Sequence, residues 1–331
     1  MGLADRKKGI DASLNINEIK EWRQQQIAVV STNHKKLNEF HDEVYKETVQ
    51  LAIDEMQSEK GTAPAPFAFF LMGSAGRFEQ SVWSDQDHGI IFDGGENCQP
   101  YFLALGEKIT NALYSVGYEL CDGKVMSLNP KWCRSIRSWE IQVTDWLNEA
   151  DWQSLRHFST FFDSRVLIGD VDYLSPLKNR AFQIMEQNLT LYQRLMDNVG
   201  FMKKGIGVFG QLLPEPHGEM AGSIRLKQQC FYPYVNSLRL LALKNKMTVP
   251  STLSRFDELP KSYSSIKKYK ADFMRLLDFR LHFRKEASNY SEVHLLPLSI
   301  LTKQDKKELK NLMKQGYSLF SETNELLENK T

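Results

Sequence analysis

The chain has 331 residues, and its 42 basic residues nearly cancel its 41 acidic ones. That balance leaves no broad electrostatic footprint for a polynucleotide, so nucleic acid is not an expected partner. The length suits two domains, and no run approaches the roughly 20 apolar residues of a membrane span.

Four cysteines, Cys98, Cys121, Cys133 and Cys230, show no CxxC spacing. They fit reduced thiols of a cytoplasmic protein rather than a disulfide framework. The first residues lack the apolar core of a signal peptide, and Arg6 stands where a myristoylation signal needs Ser or Thr.

Residues 1–14 are polar and read as loose. Asn17 is the expected cap of a first helix running through Ile27–Val30, and a second helix spans about His34 to Gln57, with Leu37, Phe40, Val44, Thr48 and Leu51 on one face. Gly61 to Pro66 breaks the pattern and leads into an apolar run, Phe67–Met72. Gly73-Ser74 follows, then Arg77, Glu79 and Ser84, then Asp85 and Asp87 at the mouth of a second apolar run, Gly89–Phe92. Gln99 to Val116 reads as a helix ended by Gly117. CDGKVMSLNPKW (121–132) is turn-rich and precedes another helix bearing Ile136, Trp139 and Val143, with Trp146 in the turn after it. Phe158 to Asp170 reads as a strand or a helix-to-strand junction. These elements make a small α/β unit. After residue 175 only helical patterns are visible: Ala181–Val199, Leu226–Lys246, Ile266–Lys285 and Lys306–Glu328. The expected division is therefore a helical prefix over 1–60, an α/β unit over 61–175 and a helical region over 176–331.

The chemistry concentrates in residues 67–92. Side chains at i and i+2 share a strand face, so Asp85 and Asp87 can reach one metal ion. Magnesium takes hard oxygen ligands and is commonly held by one or two carboxylates together with substrate phosphates. Asp-x-Asp alone is equally a solvated turn before a strand. Its neighbours add weight. A glycine after a strand lets backbone N–H groups approach phosphates, the Ser74 hydroxyl adds a donor, and Arg77 brings a fork of donors with Glu79 placed to hold it.

The pattern G-S-x-G-R-x-E-x-x-x-x-S-D-x-D, in Gly73 to Asp87, resembles the nucleotidyltransferase superfamily of the DNA polymerase β type. It is most similar to the N-terminal catalytic domain of bacterial protein-PII uridylyltransferase and to its relatives often joined to CBS domains. The similarity extends through CDGKVMSLNPKWCRS, STFFDSRVLIGD and GSIRLKQQCFYPYVNSLRLLALKNKM, or roughly residues 15–325. The resemblance implies an α+β fold, a small mixed-sheet domain with a helical prefix and a helical C-terminal domain. It also implies transfer of UMP or AMP from a nucleoside triphosphate to a hydroxyl acceptor, with a regulatory protein as acceptor and a homodimer as a compatible state. The implied cofactor is Mg2+, with Mn2+ as substitute. Asp85 and Asp87 would bind it, and Gly73, Ser74, Arg77, Glu79 and Ser84 would hold the nucleotide.

The family pattern calls for a third carboxylate on a later strand. Asp163 occupies that position, ahead of Asp170, which reads as a turn residue. Arg165 would share its face, touching phosphate or pairing with a carboxylate. Gln86 and His88 depart from the usual apolar residues, and His88 reads as a rim residue. No CBS domain is present. The remaining histidines form no HxxxH or HExxH pair, so no zinc site is indicated. Gly205-Ile-Gly207-Val-Phe-Gly210 follows a helix rather than a strand and reads as a loop, not a dinucleotide fingerprint. On the same residues, the alternative is a non-catalytic nucleotide-binding signalling module.

Overall fold

The computed structural model describes residues 15–200, 204–218 and 220–328; the loose start expected over residues 1–14 lies outside them. Helix α1 (Ile16–Val30) is capped by Asn15, two residues before the expected cap. The Asn15 side chain accepts from the backbone of Asn17 and Glu18 while Glu18 reaches back to Asn15, so two free donors are satisfied reciprocally. Asn33 caps α2 (His34–Lys60), which runs to the break at Gly61.

A four-stranded sheet follows: β1 (Phe67–Leu71), β2 (His88–Phe92), β3 (Cys133–Ser135) and β4 (Arg165–Gly169), in the order β3-β2-β1-β4. β1 is antiparallel to both β2 and β4, and β2 is parallel to β3. The central pair is covered on both faces, which is why FAFFL and GIIF are apolar throughout rather than alternating. On one face Phe69, Leu71, Ile90 and Phe92 pack against α1, α2 and α3 (Gln99–Val116). On the other, Ala68, Phe70 and Ile91 meet Trp139, Trp146 and Phe161 from α4 (Ile136–Glu149) and α5 (Trp152–Phe162). Mixed strands with helices at both ends of the chain make the α+β architecture that the resemblance implies.

Local expectations shift in several places. Trp146 lies inside α4 rather than in a turn, and three-residue β3 was invisible because so short a strand shows no period. Phe158 to Asp170 is the helix-to-strand junction, α5 into β4. The single helix expected over Ala181–Val199 is two, α6 (Leu174–Gln187) and α7 (Thr190–Gly200). The C-terminal helices include α8 (Tyr232–Lys244), α9 (Thr252–Glu258), α10 (Lys270–Arg284), α11 (Tyr290–Val293) and α12 (Lys303–Glu328). That half is not wholly helical: β5 (Ser223–Arg225) pairs antiparallel with β6 (Leu295–Pro297). Among the described residues no helix is long and apolar enough to cross a membrane.

Candidate active site

Because β1 and β2 are antiparallel, the turn leaving β1 and the segment entering β2 meet at one end of the sheet. Met72 N donates to the Asp87 carbonyl at 2.8 Å, which seats Gly73 against Asp87. Gly73 has φ +54, and a Cβ there would lie 2.0 Å from Asp87 Oδ2. Only a residue without a side chain fits that cradle. Ser74 follows within a single helical turn, Gly73–Gly76, and the Ser84 hydroxyl donates to the Asp85 carbonyl at 3.1 Å.

The flanking segment 119–125 runs beside the two aspartates. Gln86 N donates to the Glu119 carbonyl, Glu119 N to that of Ser84, and His88 N to that of Val125. This brings the Cys121 thiol beside Asp87. One ligand atom each of Asp85, Asp87 and Cys121 lies within 4.8 Å of the others. Burial, and then the neighbouring Asp85 charge, push Asp87 up to about 6. Such a strained pair of carboxylates, seated on a bare glycine, fits a divalent cation.

Gln86 and His88 face the other way. Gln86 is fully buried and donates to the carbonyls of Thr110 and Tyr118 at 3.2 and 3.0 Å. His88, read from sequence as a rim residue, is instead in the core. Its Nε2 donates to Gln86 Oε1 and its Nδ1 accepts from Ser127 N, while burial lowers its pKa to about 3. The two polar residues satisfy buried backbone groups, a structural rather than a chemical task.

Asp163 does not join the pair. It ends α5, is fully buried, and accepts from Arg77 Nη1 at 2.8 Å, Arg255 Nη2 at 2.8 Å, and both Arg239 Nε and Nη2. Burial alone would raise its carboxyl, but Arg239, Arg255 and Arg77 outweigh that and hold it well below the usual carboxylate range. Both oxygens are committed to guanidinium groups, so the expected third ligand is instead the anion of an arginine hub. Gly76 makes the hub possible: a Cβ there would lie 2.1 Å from the Asp163 carbonyl oxygen. Arg77 also donates to Glu79 at 2.7 Å, the pairing expected from their spacing. Arg165 takes the carboxylate option, forming a bidentate pair with Asp42. Asp170 caps a turn through Asp172 N.

The cleft in front of Asp85 is lined by Ser74, Arg77 and Glu79 on one wall and by Lys227, Arg280 and Tyr290 on the other. These C-terminal residues carry no motif. The β5–β6 pair assembles them, since Lys227 follows β5, His294 precedes β6, and Leu226 N donates to the His294 carbonyl at 2.9 Å. Burial works against the Lys227 charge, but Asp85 and Asp87 raise its pKa. Tyr290 lines the cleft with Asp85, and burial followed by that charge raises the phenol. Two straps join the walls: Arg280 Nη2 to the Glu79 carbonyl and Trp83 Nε1 to the Ala287 carbonyl, both at 2.7 Å. The Arg280 strap crosses the cleft from α10.

The family described as Putative nucleotidyltransferase DUF294 matches residues 17–153, which hold strands β1 to β3 of the sheet, the Gly-Ser turn and both aspartates. The family described as Putative nucleotidyltransferase substrate binding domain matches residues 190–323, which hold Lys227, Arg280 and Tyr290. No curated protein matches the chain. With both matches in chain order around one cleft, the protein belongs to the DUF294 nucleotidyltransferase family.

Proposed function

We propose that the protein is a metal-dependent nucleotidyltransferase that moves UMP or AMP from a nucleoside triphosphate to a hydroxyl of a protein acceptor. The acceptor oxygen loses its proton to solvent and attacks the α-phosphorus, the bond between that phosphorus and the bridging oxygen to the β-phosphate breaks, and pyrophosphate leaves. The observation that carries this reading is the pairing of Asp85 and Asp87 against the Gly73-Ser74 turn. Asp85 and Asp87 would hold Mg2+ or Mn2+, which supplies Lewis-acid charge to the triphosphate. Ser74 offers its hydroxyl to a phosphate oxygen. Arg77, kept rigid by Glu79 and Asp163, presents a fixed cation to the β- and γ-phosphates. Lys227 and Arg280 add positive charge from the opposite wall as pyrophosphate develops. Positioning and charge are most of what phosphoryl transfer asks of a protein.

One observation favours a second reading, a nucleotide-binding module without turnover. The third carboxylate that would activate the acceptor is committed to arginines. Incubation of the protein with each α-labelled nucleoside triphosphate, Mg2+ or Mn2+ and cell extract separates the two. Transfer predicts a labelled macromolecular acceptor and pyrophosphate with the native chain, and neither with Asp85→Ala. Transfer undiminished in Asp85→Ala would sink the assignment, and nucleotide binding with no product under any condition would favour the module.

A further inference from the structure

The donor set at the aspartate pair has a gap that the chain fills in an unexpected way. A third oxygen ligand from Asp163 is ruled out by its three guanidinium partners. Among the described residues, the one group of three or more ligating side chains close enough to share an ion is Asp85, Asp87 and Cys121. The sulfur is carried there by backbone pairing on both sides of Gln86, not by a flexible loop: Glu119 is bridged to Asp85, and Val125 accepts from His88 N. The Cys121 sulfur lies within 4.8 Å of a carboxylate oxygen of Asp87. A second observation marks the same cleft as ligand-bearing. Glu79 Oε1 and Ser81 Oγ are buried on its walls without a hydrogen-bond partner, and buried polar atoms are rarely left so.

We propose that Cys121 is the third protein ligand of the cation held by Asp85 and Asp87, so that this site prefers thiophilic divalent ions such as Co2+ and Zn2+ over Mg2+. On binding, the thiol proton leaves to solvent and the thiolate and both carboxylates face the ion. A thiolate is a soft donor, and one such ligand among hard carboxylates moves selectivity away from magnesium. The inference rests on the reading of Asp85 and Asp87 as metal ligands, but not on turnover.

The test is Co2+ titration of the full chain, alone and with a non-hydrolysable nucleoside triphosphate, followed by absorption spectroscopy and calorimetry. A sulfur-to-cobalt charge-transfer band in the near ultraviolet is expected in the native chain. It should vanish in Cys121→Ser, with Co2+ affinity falling by at least about tenfold, the lower end of what disturbing a metal ligand's surroundings costs. Cys98, Cys133 and Cys230 remain in that variant, so loss of the band reports on Cys121 alone. Co2+ binding without the band, unchanged in Cys121→Ser, overturns the sulfur ligand and leaves the aspartate reading intact. Absence of Co2+ binding in the native chain overturns both. Zn2+ competing no better than Mg2+ for the bound Co2+ overturns the selectivity.

Discussion

Lys178, on α6, shows how a single buried charge makes stability depend on pH. Its ammonium donates to the carbonyls of Ser164 and Thr248 at 2.8 and 2.9 Å. Burial, reinforced by Arg255, lowers its pKa from 10.5 to about 7. Between those values the unfolded chain binds more protons than the folded one, so this group's contribution to stability rises with pH across the window. The slope approaches about 1.4 kcal/mol per pH unit for one proton. Denaturant midpoints measured from pH 7 to 9 should rise more steeply in the native chain than in Lys178→Met, and parallel profiles would contradict the assignment. At the same scale, Asp85, Asp87, Gly73 and Arg77 were legible because their chemistry lies within one short stretch. His88 was misread because burial is a property of its surroundings: nothing in its own neighbours in sequence announces the Ser127 amide that completes its hydrogen bonds.

Elements carry the next level of control. The Gly73–Gly76 turn, the end of α5, α8 and α9 all converge on Asp163 through Arg77, Arg239 and Arg255. Removing a buried anion leaves its cationic partners uncompensated, which typically costs about 3–5 kcal/mol. Asp163→Asn keeps the shape and loses the charge, so it should be destabilised by about that much in urea unfolding. Its folded fraction should bind Mn2+ with affinity within about twofold of native, a difference of under half a kcal/mol. Native stability combined with lost Mn2+ binding would return Asp163 to the role expected from sequence. The expected strand position of Asp163 is instead the end of α5, two residues before β4 begins. Its partners lie 76, 86 and 92 residues away, and no local pattern encodes them.

At the scale of the whole molecule, one apolar cluster runs from the sheet face at Ala68 and Phe70 through Trp139 and Phe161 to Leu238, Leu276 and Leu312. A division near residue 175 therefore separates segments of sequence but cuts through a shared core. A fragment spanning residues 15–175 would expose the side of that cluster normally covered by α8 and α12. It should melt without a cooperative transition and bind a hydrophobic dye; a sharp two-state melt would show that the first half folds on its own. The cleft also belongs to this scale, since its walls come from both halves and are strapped by Arg280 and Trp83. The sequence by itself determined the strand–turn–strand unit, the Gly-Ser and Asp-x-Asp pairing, the helix patterns and the family resemblance. These depend on periodicity and spacing along the chain, which packing only has to respect. Tertiary structure alone decided that Asp163 neutralises arginines, that Cys121 stands beside Asp87, and that Lys227, Arg280 and Tyr290 face the aspartates. Those roles come from charge, burial and distance between residues far apart in the chain, and the fold sets all three.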